Sequence, residues 1–232
     1  MAKQFEVRWE GDLTGTPTEV WDAFTVHTAG WYWKIQYEPR VGGAETGLTQ
    51  AGGVVTVWEP GKHLTTRLDG DGGFFNQLDY RLEPSGTGTH LTFTHQGAFA
   101  EERYDQDLDM CQQHTRLYYH SLGEYLRHFP GRDAVYVATD APGSFASLRE
   151  SLGIPSTATV GDEVTLAPVG VVDYATGPFL GVRTADALYR FFGRDTWGLP
   201  VGVAMHLFTD DTEPTATTWK RFLQSYSGST RS

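Results

Sequence analysis

Polar and apolar residues alternate at the start of the chain. Phe5, Val7 and Trp9 fall on every second position, which predicts a strand with one face buried. Thr16-Pro17-Thr18-Glu19 follows. Thr16 suits an N-cap, Pro17 the first helical position, and Glu19 completes a capping box. The predicted helix carries Val20, Trp21 and Phe24 and stops near residues 27–30. A run of strand-like pieces comes next: residues 31–38, 54–58, 63–68, 74–82 and 90–95. Turn-forming residues separate them, including Pro39, Glu59-Pro60-Gly61-Lys62 and the Gly-rich stretch 69–73. Residues 83–88 read as a hairpin loop. The series predicts an antiparallel meander.

The period then changes. From 101 to 129 the apolar positions are Tyr104, Leu108, Cys111, Tyr118, Leu122, Tyr125 and Phe129, with Thr115 filling the gap. Steps of four and three put them on one stripe of a long helix. Asp105, Asp109 and Gln112 occupy the other face. Glu101 and Glu102 sit at the helix's positive end, Arg127 and His128 at its negative end, and Pro130-Gly131 stops it.

Beyond a predicted linker at 130–133 the order of elements recurs. Residues 134–139 read as a strand, and Pro142 opens a helix carrying Phe145, Leu148 and Leu152. Gly170-Val171-Val172 before 179–183 echoes Gly53-Val54-Val55 before 63–67. Residues 188–192 and 201–208 flank 193–200 like the earlier hairpin. Residues 218–226, with Trp219, Phe222, Leu223 and Tyr226, read as a last helix. Residues 186–192 also fit a helix capped by Thr184, and the local pattern leaves that open. The expected organisation is a first domain at 1–129 and a second, shortened copy at 134–232.

Several segments together carry a family resemblance. Residues 16–24 (TPTEVWDAF), 53–68 (from GVVTVWEPGK onward), 88–97 (GTHLTFTHQG) and 122–126 (LGEYL) occur in order. They resemble the activator of heat-shock-protein-90 ATPase homologue (AHSA-like) family of the SRPBCC, or START-like, superfamily. Glu19 stands one place later than is usual there. The resemblance implies an α+β helix-grip fold, in which a curved antiparallel sheet wraps around a long C-terminal helix. It also implies an internal cavity for apolar molecules between the two. It implies no particular reaction, and nothing in the chain resembles the separate chaperone-binding domain of the co-chaperone that names the family.

Composition narrows the function classes. The chain has 232 residues, and its 7 Trp, 11 Tyr and 13 Phe predict thick apolar walls. Its net charge of −11, without a basic run, excludes the electrostatic footprint of a nucleic-acid or anionic-membrane binder. One cysteine, Cys111, allows no intrachain disulfide and fits a reducing cytoplasm. The first ten residues alternate and have no signal-peptide core, and no stretch approaches a membrane span. The expected location is the cytoplasm, with no membrane insertion.

Chemical motifs are sparse. There is no Cys-x-x-Cys and no His-Glu-x-x-His, and His114 and His120 lie six apart, so no metal is expected. Gly61-Lys62 lacks the glycine of a phosphate loop, Gly86-x-Gly88 reads as a hairpin tip, and no Gly-x-Ser-x-Gly elbow occurs, so no cofactor is expected. Polar residues interrupting apolar elements remain. His95 alternates with Leu91 and Phe93, Gln77 interrupts residues 75–82, and His114 borders the helix stripe. The expected cavity lining is Trp31, Trp33, Gln77, Phe93, His95, Tyr104, Leu108, Cys111, His114 and Tyr118. The reading favours binding of an apolar small molecule or lipid. A cyclase, dehydratase or hydrolase with His95 as acid or base is the enzymatic alternative. A co-chaperone-like module or a homodimer contact is the interaction alternative.

Overall fold

The computed structural model describes residues 2–48, 52–166, 169–209, 217–219, 221–222 and 226. The chain divides into two compact units, 1–132 and 133–232. Each is an α+β unit, and together they give the expected fold class: a helix-grip and a second, shortened helix-grip-like unit.

The first unit runs β1 (Ala2–Leu13), α1 (Pro17–Thr25), β2 (Gln36–Tyr37), β3 (Ala44–Thr46), β4 (Gly53–Glu59), β5 (His63–Asp69), β6 (Phe75–Ser85), β7 (Gly88–Ala100) and α2 (Tyr104–His128). The strands form one antiparallel sheet in the order β1-β7-β6-β5-β4-β3-β2. The first strand therefore pairs with the last. The capping box of α1 is present: the Thr16 hydroxyl accepts the Glu19 N–H at 3.3 Å, and the Glu19 carboxylate accepts the Thr16 N–H at 2.7 Å. Period-2 alternation sends Phe5, Val7, Leu78, Tyr80, Leu82, Leu91 and Phe93 to the face toward α2. There Tyr119 stacks on Trp9 and packs against Phe93, both at 4.7 Å between ring centres.

Three expectations for this unit change. Residues 31–38 are not one strand, because a 3₁₀ turn at Thr28–Gly30 leads in and only Gln36–Tyr37 pairs. The Thr28 hydroxyl accepts the Ile35 N–H at 2.9 Å, and the Trp31 indole N–H donates to the Ala23 carbonyl at 2.8 Å. The aromatics there pack one by one in a folded loop, and their strand propensity loses to that packing. The hairpin at 83–88 is tighter than expected: β6 and β7 continue to Ser85 and Gly88, and Gly86 turns at φ 57°. Finally, α2 is buried over a wider arc than one stripe. Leu117 and Tyr119, outside the expected stripe, are buried, whereas Cys111 and Tyr118 are half-buried.

The second unit runs β8 (Val135–Ala141), α3 (Phe145–Ser151), β9 (Glu163–Thr165), β10 (Val169–Thr176), β11 (Phe179–Arg183), β12 (Ala187–Phe192) and β13 (Val201–Leu207). Its sheet order, β8-β13-β12-β11-β10-β9, repeats the wiring of the first, one strand shorter. Residues 187–192 are strand, which decides the ambiguity in favour of the hairpin. Ser144 caps α3, accepting the Ser147 N–H at 3.2 Å. Of the expected last helix, residues 218–219, 221–222 and 226 are helical, and Leu223 lies outside the described residues. Trp219 and Tyr226 join the core beside Tyr189 and Phe191.

The two sheets correspond residue by residue. A bulge interrupts β4–β5 between Val55 and Val57, and another interrupts β10–β11 between Val172 and Tyr174. Gly42 N–H donates to the Val55 carbonyl at 2.8 Å, and Gly161 N–H donates to the Val172 carbonyl at 2.9 Å. Both glycines have positive φ, 79° and 99°, a region closed to most side chains. From this anchor, Val54 opposite Arg67 corresponds to Val171 opposite Arg183.

Candidate functional site

The first unit's interior holds polar groups that a purely structural core does not need. Tyr80 comes from β6, Tyr119 from α2, Tyr37 from β2 and Tyr32 from the loop after α1. Burial is the largest cause that pushes all four phenols up. They also sense one another: Tyr32 feels Tyr118, Tyr80 and Tyr37, while Tyr119 feels Tyr80, Tyr32 and Tyr37. All four stay neutral donors at physiological pH. Tyr80 and Tyr119 both pack against Phe93, at 5.0 and 4.7 Å between ring centres. Tyr32 and Tyr37 are half-buried, and their hydroxyls make no hydrogen bond among the described residues. Glu45, on β3, is a buried carboxylate sensed by Tyr37 and Tyr80; its Oε1 accepts the Leu48 N–H at 2.7 Å.

A second polar chain lies alongside. His95 on β7 stands opposite Val7 and Leu78, so its ring points toward α2. Its Nε2 lies 2.5 Å from Asn76 Oδ1, and its Nδ1 lies 3.3 Å from Cys111 Sγ. Phe5 meets the ring edge-on at 4.9 Å. Burial lowers the imidazole to about 4 and raises the Cys111 thiol to about 11, so both are neutral. Tyr118, on the same helix as Cys111, meets the Tyr32 ring at 4.3 Å, which links the two groups.

The expected lining residues do not all fall in one place. Phe93, His95, Cys111 and Tyr118 gather between sheet and helix; Tyr118 meets the Tyr32 ring edge-on at 4.3 Å. Trp31 is a buried core residue beside Tyr32 and Tyr119. Trp33 stacks on Tyr32 at 3.7 Å, and His114 lies 5.7 Å from Tyr118, its Nδ1 at 2.8 Å from the Met110 carbonyl. Leu108 is half-buried on α2. Two residues leave the set. Gln77 lies on the opposite, outer face, bonded to Arg67 and Gln96 among Glu6, Arg8, Asp79 and Arg81, because alternation that buries Leu78 and Tyr80 turns Gln77 outward. Tyr104 is spent at the edge of the sheet, donating to the Gln4 carbonyl at 3.0 Å under Lys3.

Sequence reading missed Tyr32, Tyr37, Glu45, Asn76, Tyr80 and Tyr119. Tyr80 and Tyr119 had a signal. Tyr80 alternates with Leu78 and Leu82, and the steps 115, 119, 122 fit a helix face as well as 115, 118, 122. Glu45 and Tyr37 sit in strands of three and two residues, too short for a period.

At register-equivalent positions the second unit is apolar. Glu45, opposite Gly53, corresponds to Val164, opposite Gly170. Asn76 corresponds to Ala187, Tyr80 to Phe191 and His95 to Met205.

This architecture defines a START-like helix-grip unit with a polar-lined interior. Residues 14–127 match the sequence model of the activator of Hsp90 ATPase homolog 1-like protein family, and the first unit belongs to that family. The family is compatible with ligand binding in a cavity. The chain is similar to MLL2253 from Mesorhizobium loti, at 23% identity over 54% of this chain and 98% of that one, with a TM-score of 0.45. It is similar to CalU16 from Micromonospora echinospora, at 26% identity over 56% and 78%, with a TM-score of 0.43. DynU16, from the dynemicin biosynthetic locus, is similar over 97% of this chain and 99% of that one, at 16% identity and a TM-score of 0.44. No curated protein matches the chain. Among the described residues no helix is long and apolar enough to cross a membrane.

Proposed function

We propose that the first unit binds a small, largely apolar molecule bearing oxygen, held between its sheet and α2. One observation carries this reading: the Tyr32 and Tyr37 phenols, pushed up by burial, make no hydrogen bond among the described residues. A buried hydroxyl left without a hydrogen bond costs about 1–3 kcal/mol, and the second unit closes the same kind of sheet with Val164, Ala187, Phe191 and Met205 where the first carries Glu45, Asn76, Tyr80 and His95. A ligand carbonyl supplies the missing acceptor, while Trp31, Phe93 and Leu91 supply apolar wall. The binding reading is favoured over catalysis because His95 and Cys111 rest neutral, far from the ion pair that activates a thiol.

The test is a titration of tryptophan fluorescence with flavone, a neutral ring ketone without a hydroxyl. Saturable binding near micromolar is expected. The double substitution Tyr32→Phe/Tyr37→Phe is expected to weaken it about 10-fold and to leave the melting temperature unchanged or higher. Absence of saturable binding, or equal affinity in the variant, overturns the reading.

A further inference from the structure

Hydrogen-bond roles around His95 are fixed by its neighbours. The imidazole is neutral, so one ring nitrogen donates and the other accepts. Asn76 Oδ1 is an acceptor at 2.5 Å from Nε2. Nε2 therefore carries the proton, and Nδ1 presents a lone pair toward α2. What faces that lone pair is the Cys111 thiol at 3.3 Å. A thiol is a weak donor, so a hydroxyl arriving there makes the better bond. Tyr32, whose hydroxyl makes no hydrogen bond among the described residues, meets edge-on at 4.3 Å the ring of Tyr118, which lies on α2 with Cys111.

The interior thus offers an acceptor at His95 Nδ1 and, at Tyr32 and Tyr37, hydroxyls that make no hydrogen bond among the described residues. Its charge is one-sided. The carboxylate sensed by the phenols is Glu45, and no lysine or arginine appears among the groups acting on them. A ligand carboxylate would enter a buried space beside the Glu45 side chain and without a Lys or Arg among the groups acting on these phenols, which is costly.

Building on the binding role proposed above, we infer that this interior selects neutral ring compounds carrying a free hydroxyl and a carbonyl: the hydroxyl donates to His95 Nδ1, the carbonyl accepts from Tyr32 or Tyr37, and fatty acids are rejected. Asn76 is a positioning residue that holds the imidazole in the accepting tautomer. The second unit, with Met205 and Ala187 at the matching positions, lacks this reader.

The experiment compares 6-hydroxyflavone, 6-methoxyflavone, flavone and palmitate by the same fluorescence titration at pH 7. The methoxy compound keeps the oxygen and loses the donor. The hydroxy compound is expected to bind about 10-fold tighter than the methoxy compound, and palmitate at least 10-fold weaker than flavone. In His95→Met the hydroxyl preference, read as the ratio of hydroxy to methoxy affinity, is expected to vanish. In Asn76→Ala, where Nδ1 is free to take the proton, the preference is expected to shrink with the ring still present. Equal affinity for hydroxy and methoxy probes in the native protein, or a preference that survives both substitutions, overturns the inference and leaves the binding role standing. Tight palmitate binding overturns the rejection of anions. Absence of binding by all the flavones overturns the binding role itself, and the inference with it.

Discussion

Glu45, Asn76, Tyr80 and His95 in the first unit stand where the second carries Val164, Ala187, Phe191 and Met205. The wiring, the bulge and the glycine turn before it are otherwise shared. The second unit is thus an internal control. Its interior of Val172, Leu180, Val182, Phe191, Met205 and Trp219 shows that this sheet closes over an apolar core. The first unit's polar interior is then not a demand of the fold. Each buried polar group opposes folding unless it is hydrogen-bonded, so a cluster kept in one unit and replaced in the other is most simply read as serving a ligand.

The outer faces differ in the opposite sense, and there the largest effect is expected. Asp79 and Arg190 occupy matching positions, opposite Thr65 and Gly181. Asp79 is half-buried and shared between His63, Thr65 and Arg81. Arg190 is 1% exposed and paired with Asp173 at 3.0 Å. Gly181 leaves room for that pair, since a Cβ there would meet Asp173 Oδ1 at 2.2 Å. Asp173→Ala strands a buried guanidinium and is expected to cost about 3–5 kcal/mol. Asp79→Ala is expected to cost about 1 kcal/mol. Denaturant melts of the two variants check the contrast, and equal losses would erase it.

A pH effect comes next. His95 titrates near 4 in the folded protein, below the ordinary histidine range. As pH falls the unfolded chain takes this proton first, so the contribution is full above about pH 6.5 and is lost as pH falls toward 4. The first unit is expected to lose up to about 3 kcal/mol from this group. His95→Met, copying Met205, should remove that part of the slope. Urea melts at pH 7, 5.5 and 4 measure it, and an unchanged slope in the variant would refute the burial of the imidazole.

The smallest contrast lies at the helix starts. The box of α1 joins Thr16 and Glu19 reciprocally, whereas α3 has the single Ser144 bond to a backbone N–H. Thr16→Ala is expected to cost about 1 kcal/mol and Ser144→Ala about 0.5 kcal/mol. Thermal melts of each variant decide it, and a larger loss at Ser144 would reverse the ranking.

Local rules carried much of the architecture. The capping box at Thr16, the strands around residues 54–58 and 63–68, the long helix and its charged ends, and the echo of Gly53-Val54-Val55 in Gly170-Val171-Val172 were legible because each depends on near neighbours or a short period. His95 was legible as an inward residue because β7 alternates without a break beside it. Gln77 was misplaced where the same rule, applied strictly, turns it outward.

What the residues alone determined is the order of elements, their periods and hence which side chains face inward along each long strand. Tertiary structure decided which inward groups meet. Asn76 and His95 lie 19 positions apart, and Tyr32 and Tyr119 lie 87 apart. Such pairs are brought together by strand register and by the seating of α2, and neither is encoded in a local period. Short elements were also decided by the fold: residues 31–38 take a looped path because Thr28 and the Ala23 carbonyl bind them from a distance. A local pattern reports a preference of about 1 kcal/mol or less per residue. The packing of sheet on helix outweighs that preference wherever the two disagree.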